Sequence, residues 1–293
     1  MDRRNAEGGF IIEQEHLAGR CYVLTGPWTA RSAEVFHREG AQFLRLNRTL
    51  GARVEDLEFL KELRGLRGVE IYDPTITMKA LAPLLELGAL ELLGLQCKFK
   101  DIDFAARFPR LRLASFHWQR GCETVFRSRE LQFLFVEGSP GSNLMDLAGL
   151  TSLKRLHVNS KSVVSAEGAA ELASLAHLTF AYCSSLLDVS AVSRCRSLRV
   201  LELYNCKKVA QLPAFSTCGL QRLTIENGAV LESLKPLSAC EQLEEVFLPG
   251  TKISDGDISP LLALPRLRRV AFPRNKSYSH SMDEVNATLA VRR

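Results

Sequence analysis

Residues able to do chemistry are plentiful in this chain but scattered. Six histidines, eight cysteines and 33 carboxylates are spread over 293 residues. Catalysis needs a nucleophile beside a base, and a metal needs ligands at fixed spacing. No Cys-x-x-Cys pair, His-Glu-x-x-His helix, Gly-x-Ser-x-Gly elbow, Gly-x-x-x-x-Gly-Lys-Ser/Thr loop or Gly-x-Gly-x-x-Gly run occurs. Gly138-Ser139-Pro140-Gly141-Ser142 lacks the lysine and the helix start of a phosphate cradle, and reads as a turn. His117, His157 and His177 have no Asp or Cys to complete a tetrahedral set, and read as solvated strand residues. The thiols read as small buried hydrophobes. The expectation is no catalytic residue, no metal site and no cofactor.

Composition points the same way. The chain is 46% hydrophobic and 24% charged, an ordinary globular profile. No stretch approaches the ~20 apolar residues needed to cross a bilayer. Phe10-Ile11-Ile12 is interrupted by Glu13 and Glu15, too short and too charged for a signal-peptide core. This predicts a cytoplasmic protein with no membrane contact. Residues 1–150 balance 20 basic against 20 acidic side chains, so the net charge of +5 falls later in the chain. Arg266, Arg268, Arg269, Arg274, Lys276, Arg292 and Arg293 face only Asp283 and Glu284. Nucleic-acid binding calls for a basic stripe; one basic end reads as a solvated cap and predicts no nucleic acid.

The elements that must position any site come from a repeat. Leu150-x-x-Leu153-x-x-Leu156-x-Val158 recurs as Leu172-x-x-Leu175-x-x-Leu178-x-Phe180 and Cys195-x-x-Leu198-x-x-Leu201-x-Leu203. Marking each copy by its penultimate apolar residue gives positions 44, 69, 93, 114, 134, 156, 178, 201, 223, 246 and 270. The intervals of 20 to 25 residues leave room for a strand and a short return path. Each x-Leu-x-Leu-x segment alternates with period two, as a strand with one buried face does. One copy buries too little surface to fold alone, so the copies must stack.

This pattern resembles the leucine-rich-repeat family over about residues 41–275. The resemblance implies an α/β solenoid, a curved arc of about eleven short parallel strands. A period near 22–23 restricts the return path to 3₁₀ turns, extended backbone or one-turn helices. Asp146-Leu147-Ala148-Gly149-Leu150, Asp188-Val189-Ser190-Ala191-Val192 and Asp257-Ile258-Ser259-Pro260-Leu261 resemble internalin-type bacterial repeats, each with a capping Asp. The family often places Asn or Cys five residues after the marker. Here Cys183, Cys206, Thr251 and Asn275 stand there, with Gln119 and Lys161 as departures. Residues 1–40 read as an N-terminal cap, with a helix between Thr29 and Gly40. Residues 276–293 read as a C-terminal cap, with a capping box at Ser281 and Glu284.

In such a stack the residues one before, one after and three after each marker face outward on the concave sheet. Leu92, Leu113 and Phe133 are neighbours there, with Phe135 beside them. They make either an exposed apolar patch or a cluster covered by an irregular loop. Around them lie His117, Glu137, Arg155, His157, Glu202, Tyr204, Arg222 and Glu226, with Trp118 and Tyr182 at strand ends. Aromatic and arginine anchors in a charged surround are the make-up of protein-binding hot spots. Glu137, Glu202, Glu226 and Glu245 together favour a basic partner. The expected function is non-enzymatic binding of a protein by a chain that is a monomer when unbound. The resemblance to small bacterial proteins of this group that lack secretion signals or anchors implies an immunity protein that neutralises a cognate toxin. An adaptor with several partners, or an enzyme, are the alternatives.

Overall fold

The computed structural model describes residues 3–5, 9–14, 17–138, 141–215 and 217–292. Ser139 and Pro140 of the expected turn, and Arg293 of the basic end, lie outside the described residues. The chain divides into two compact units, Met1–Leu134 and Phe135–Arg293.

In the first unit β1 (Arg3–Asn5), β2 (Phe10–Gln14) and β3 (Arg20–Leu24) pair antiparallel. From β3 onward every pairing is parallel, through β4 (Ala41–Asn47), β5 (Gly68–Tyr72), β6 (Leu92–Leu95) and β7 (Leu113–His117). β8 (Phe133–Glu137) follows. The second unit stacks β9 (Arg155–Asn159), β10 (His177–Ala181), β11 (Val200–Tyr204), β12 (Arg222–Glu226), β13 (Glu245–Phe247) and β14 (Arg269–Ala271) in parallel and in chain order. The eleven expected repeat strands are β4 to β14; three more precede them.

Register explains the stack. Leu44, Val69, Leu93 and Ala114 pair rung to rung in the first unit, and Leu156, Leu178, Leu201, Leu223, Val246 and Val270 in the second. All are buried, so each unit carries a continuous apolar column that no single repeat could form. This is the leucine-rich-repeat solenoid fold.

The return paths are as short as the period requires. They are 3₁₀ turns such as Glu58–Glu62, Cys122–Arg127, Ala169–Glu171 and Ser190–Arg194, and single α-turns at Phe104–Arg107 and Ser259–Leu262. Asp188 accepts the Ser190 N–H at 2.8 Å and Asp257 the Ser259 N–H at 3.0 Å, each from one residue before the N-cap of its turn. Asp146 does not play this part. Its 3₁₀ turn begins at Met145, so the acceptor must stand two residues earlier, where Asn143 takes the Met145 N–H at 3.1 Å.

Five residues after the marker, Cys183 donates to the Val158 carbonyl, Cys206 to that of Phe180, and Thr251 to that of Ile225 at 2.8 Å. Gln119, although a departure from the pattern, does the same work. Its amide donates to the Cys97 carbonyl and accepts the Phe99 N–H. Lys161 is exposed, and its buried neighbour Ser160 accepts the Ser162 N–H instead. Asn275 only braces its own turn, accepting from the Ser277 N–H and hydroxyl.

At the two ends of the chain, α1 (Ala30–Arg38) begins after Thr29, whose N–H bonds the Ser32 hydroxyl, and ends before Gly40 at φ +61°. α4 (Met282–Val291) opens on a reciprocal Ser281–Glu284 capping box. All eight cysteines are buried, and burial pushes the Cys195 and Cys240 thiols up to about 12. Among the described residues no helix is long and apolar enough to cross a membrane.

Candidate interaction face

Each strand presents a second face, away from the apolar column, made by the residues one before, one after and three after the marker. In the first unit this face is largely closed. Leu92 and Leu113 are only 1% and 2% exposed, so the expected exposed patch is corrected there. The reason lies in Gly68, between Phe43 and Leu92 in the same row. A β-carbon on Gly68 would stand 2.6 Å from Leu92 Cβ and 2.8 Å from the Phe43 ring, so these side chains meet over the gap that glycine leaves. One residue earlier, Arg67 grips Glu91 through two bonds of 2.9 Å, and Arg112 adds a third at 3.3 Å. Arg67 also lies over the Phe43 ring, 5.3 Å from its centroid, at the edge of this row.

The polar side chains of this face are also engaged. Glu70 is buried and accepts from Arg45 Nε and Tyr72 Oη, each at 2.6 Å, while Arg45 reaches Glu13 from its other side. Arg45 and Glu70 each stand one residue after a marker on adjacent rungs, and opposite charge at successive rungs is the sequence signal for such a pair. Phe133 is half-buried, His117 is exposed, and Trp118 stacks on Phe126 with ring centroids 5.2 Å apart.

The second unit keeps more of its face open. Phe135 and His157 lie with ring centroids 5.9 Å apart, both half-buried. Next to them, Glu202 accepts from His177 Nε2 at 2.8 Å and Thr179 Oγ1 at 2.9 Å. Arg155, Tyr204 and Glu226 are half-buried, while Arg222 and Glu137 are exposed. Glu245, buried on β13, is gripped from the two flanking strands by Arg222 and Arg269. Two of the four glutamates expected to draw a basic partner are thus already engaged: Glu202 is hydrogen-bonded and Glu245 ion-paired by neighbours one rung away, because parallel register brings residues of successive repeats within reach of each other.

The electrostatics of this cluster carry a pH signature. The hydrogen bonds from His177 and Thr179 hold Glu202 down to about 2, against the opposing effect of burial. Burial depresses His157 below its ordinary value and favours its neutral form. Both shifts are downward, so both groups bind protons more readily in the unfolded chain, and acid costs stability in two stages. His157 contributes a loss as pH falls through about 6.5. Glu202 contributes a second loss, about 3 kcal/mol at most, as pH falls from about 4.5 toward 2. Urea unfolding of Glu202→Gln over this range is expected to show a flatter second stage; a curve parallel to wild type would rule out the Glu202 assignment.

One residue at the edge of this face stands apart. The position four after the marker has positive φ in several repeats of the second unit, filled by Gly138, Asn205, Asn227 and Gly250. Glycine and asparagine tolerate that conformation. Tyr182 occupies the equivalent place at φ +53°, with 60% of its surface exposed. Its N–H still makes the ladder bond, to the Tyr204 carbonyl at 2.7 Å.

No protein-family model and no curated protein matches the chain. Solved structures do. Internalin C2 of Listeria monocytogenes is 20% identical over 73% of this chain and 83% of its own, with a TM-score of 0.49. Internalin F of the same organism is 18% identical over 87% of each chain, with a TM-score of 0.46.

Proposed function

We propose that this chain is a non-enzymatic protein-binding module, and that its second unit holds a protein partner on the open face of β9 to β12. The observation that carries this reading is Tyr182. A bulky side chain in the left-handed region costs about 1–2 kcal/mol. Such strain persists where the surroundings enforce it, and it clusters at functional positions. An exposed aromatic kept at that cost, with Tyr204 on the next rung and Phe135, His157 and Arg222 elsewhere on the face, suits a hot-spot anchor with a polar surround. Rigid, hydrogen-bonded strands lower the ordering cost of association. Such preorganisation favours a single tightly held partner, as an immunity protein holds its toxin, over several loosely held ones.

Tyr182→Asn separates the two effects. It is expected to raise unfolding stability by about 1 kcal/mol by relieving strain. Combined with Phe135→Ala, it is expected to remove one protein from those captured out of native extract by the wild-type chain. Identical captures by both baits would overturn the assignment of this face.

A further inference from the structure

A second surface of the same unit has a different character. The chain enters each strand at what is here termed the leading edge of the sheet, and leaves at the trailing edge. On the leading edge stand Lys154 and Arg155 at β9, Arg199 at β11 and Arg222 at β12. At β14 stand Arg266, Arg268 and Arg269. The carboxylates among them are Glu244 and Glu245 at β13. Glu245 is buried and bridged by Arg222 and Arg269, and Glu244 lies 3.7 Å from Arg268. The trailing edge is mixed: Tyr204, Glu226 and Pro249 stand at the ends of three of these repeats, and lysines such as Lys207 and Lys208 lie beyond the strand ends.

At β14 the rim opens into a depression of about 740 Å³, lined by Arg266, Arg268, Arg269 and Arg292 together with the paired Glu244 and Glu245 and with Pro265, Leu267 and Leu289. Arg292 is fixed there by donating to the Leu262 carbonyl at 2.7 Å. The basic residues near the chain end, which the sequence reading assigned to a solvated cap, thus converge with those of the strands.

We infer that this leading edge is a docking rim for an acidic polypeptide segment, a surface that borders the face of the proposed function and shares Arg155 and Arg222 with it. Charge complementarity sets the sign of the occupant, since the row keeps its cationic excess after its two carboxylates are paired. Spacing sets its form. Strands about 4.8 Å apart place β9 and β14 some 24 Å apart, the length of about seven extended residues. The guanidinium groups suit the carboxylates of such a segment. A single-stranded nucleic acid is the poorer fit, because among the described residues lining the depression none is aromatic and no stacking platform is offered.

The test uses the full chain and a labelled twelve-residue peptide of alternating Glu and Leu, read by fluorescence anisotropy at 50 to 300 mM NaCl. Wild type is expected to bind at low salt and weaken steeply as salt rises. Arg266→Glu with Lys154→Glu is expected to weaken binding about tenfold or more. Arg266→Gln with Lys154→Gln is expected to give a smaller loss with an unchanged melting temperature, which guards against misfolding of the reversed pair. The same charge reversal on the trailing side, Lys207→Glu with Lys208→Glu, is expected to leave binding intact. Absence of binding by wild type at 50 mM salt would overturn the inference, as would an equal loss from the Lys207/Lys208 pair. Displacement of the peptide by an equimolar twelve-nucleotide oligothymidylate would overturn it in favour of nucleic acid. The peptide probe does not depend on the partner sought with Tyr182→Asn, so either reading can fail alone.

Discussion

Replacing Arg45 by methionine is expected to cost about 3–5 kcal/mol of stability, the usual loss when one half of a buried ion pair is removed. The size follows from what is left behind. Glu70 has 8% of its side chain exposed, and Arg45 Nε is its charged partner at 2.6 Å. Without the guanidinium, the carboxylate retains the Tyr72 hydroxyl at 2.6 Å but no counter-charge, in a setting that water reaches poorly. Glu13 loses a partner too, but at 40% side-chain exposure water replaces most of that interaction. The prediction therefore has a second half. Adding Glu70→Gln to Arg45→Met is expected to restore about 2 kcal/mol, because a neutral amide is far less costly to bury than an unpaired charge. Urea unfolding of the four chains of this cycle gives both numbers. A loss under about 1 kcal/mol for Arg45→Met, or no recovery in the double variant, would mean that water screens the pair as it does a surface one.

That pair also shows what the sequence could and could not disclose. The eleven repeat strands were legible because leucine spacing reports the column that stacking must bury, and every marker residue lies in it. The short return paths were legible from the period alone. The face opposite the column was harder to read, because its burial depends on neighbours one repeat away rather than on local alternation. Leu92 and Leu113 occupy outward positions yet are covered, since Gly68 lets Phe43 and Leu92 close over the row. Glu202 and Glu245 looked like free acidic charge because their partners stand 23 to 25 residues away. Tyr182 was legible as an aromatic at a strand end, but its backbone conformation appears only when it is set beside Gly138, Asn205, Asn227 and Gly250. Asp146 failed as a capping residue for a smaller reason, a turn that starts one residue before it.

The other large effect is expected at Gly168, and it ties repeat stacking to the open face. Gly168 has φ +94°, and a β-carbon there would stand 2.5 Å from the Leu144 carbonyl carbon and 2.5 Å from the Met145 nitrogen. These are backbone atoms of the preceding return path, already joined to this one by the Leu144 N–H to Glu167 carbonyl bond at 2.7 Å. Gly168→Ala therefore adds a backbone clash to the strain of the left-handed region, about 3–5 kcal/mol together. Gly250 provides the control. It also has positive φ, at +70°, but its closest neighbour would be the Asn227 side-chain oxygen, on an exposed residue that can turn away. Gly250→Ala is expected to cost only the strain, about 1–2 kcal/mol. The difference matters for binding as well as stability. The return paths on either side of this contact lead into β9 and β10, the rungs that carry Arg155, His157 and His177. Pushing those paths apart displaces one rung against the next, so Gly168→Ala is expected to weaken partner capture even where the chain remains folded, while Gly250→Ala leaves it intact. Equal destabilisation by the two substitutions would show that conformational strain alone sets the cost, and that the contact at Leu144 yields without moving the strands.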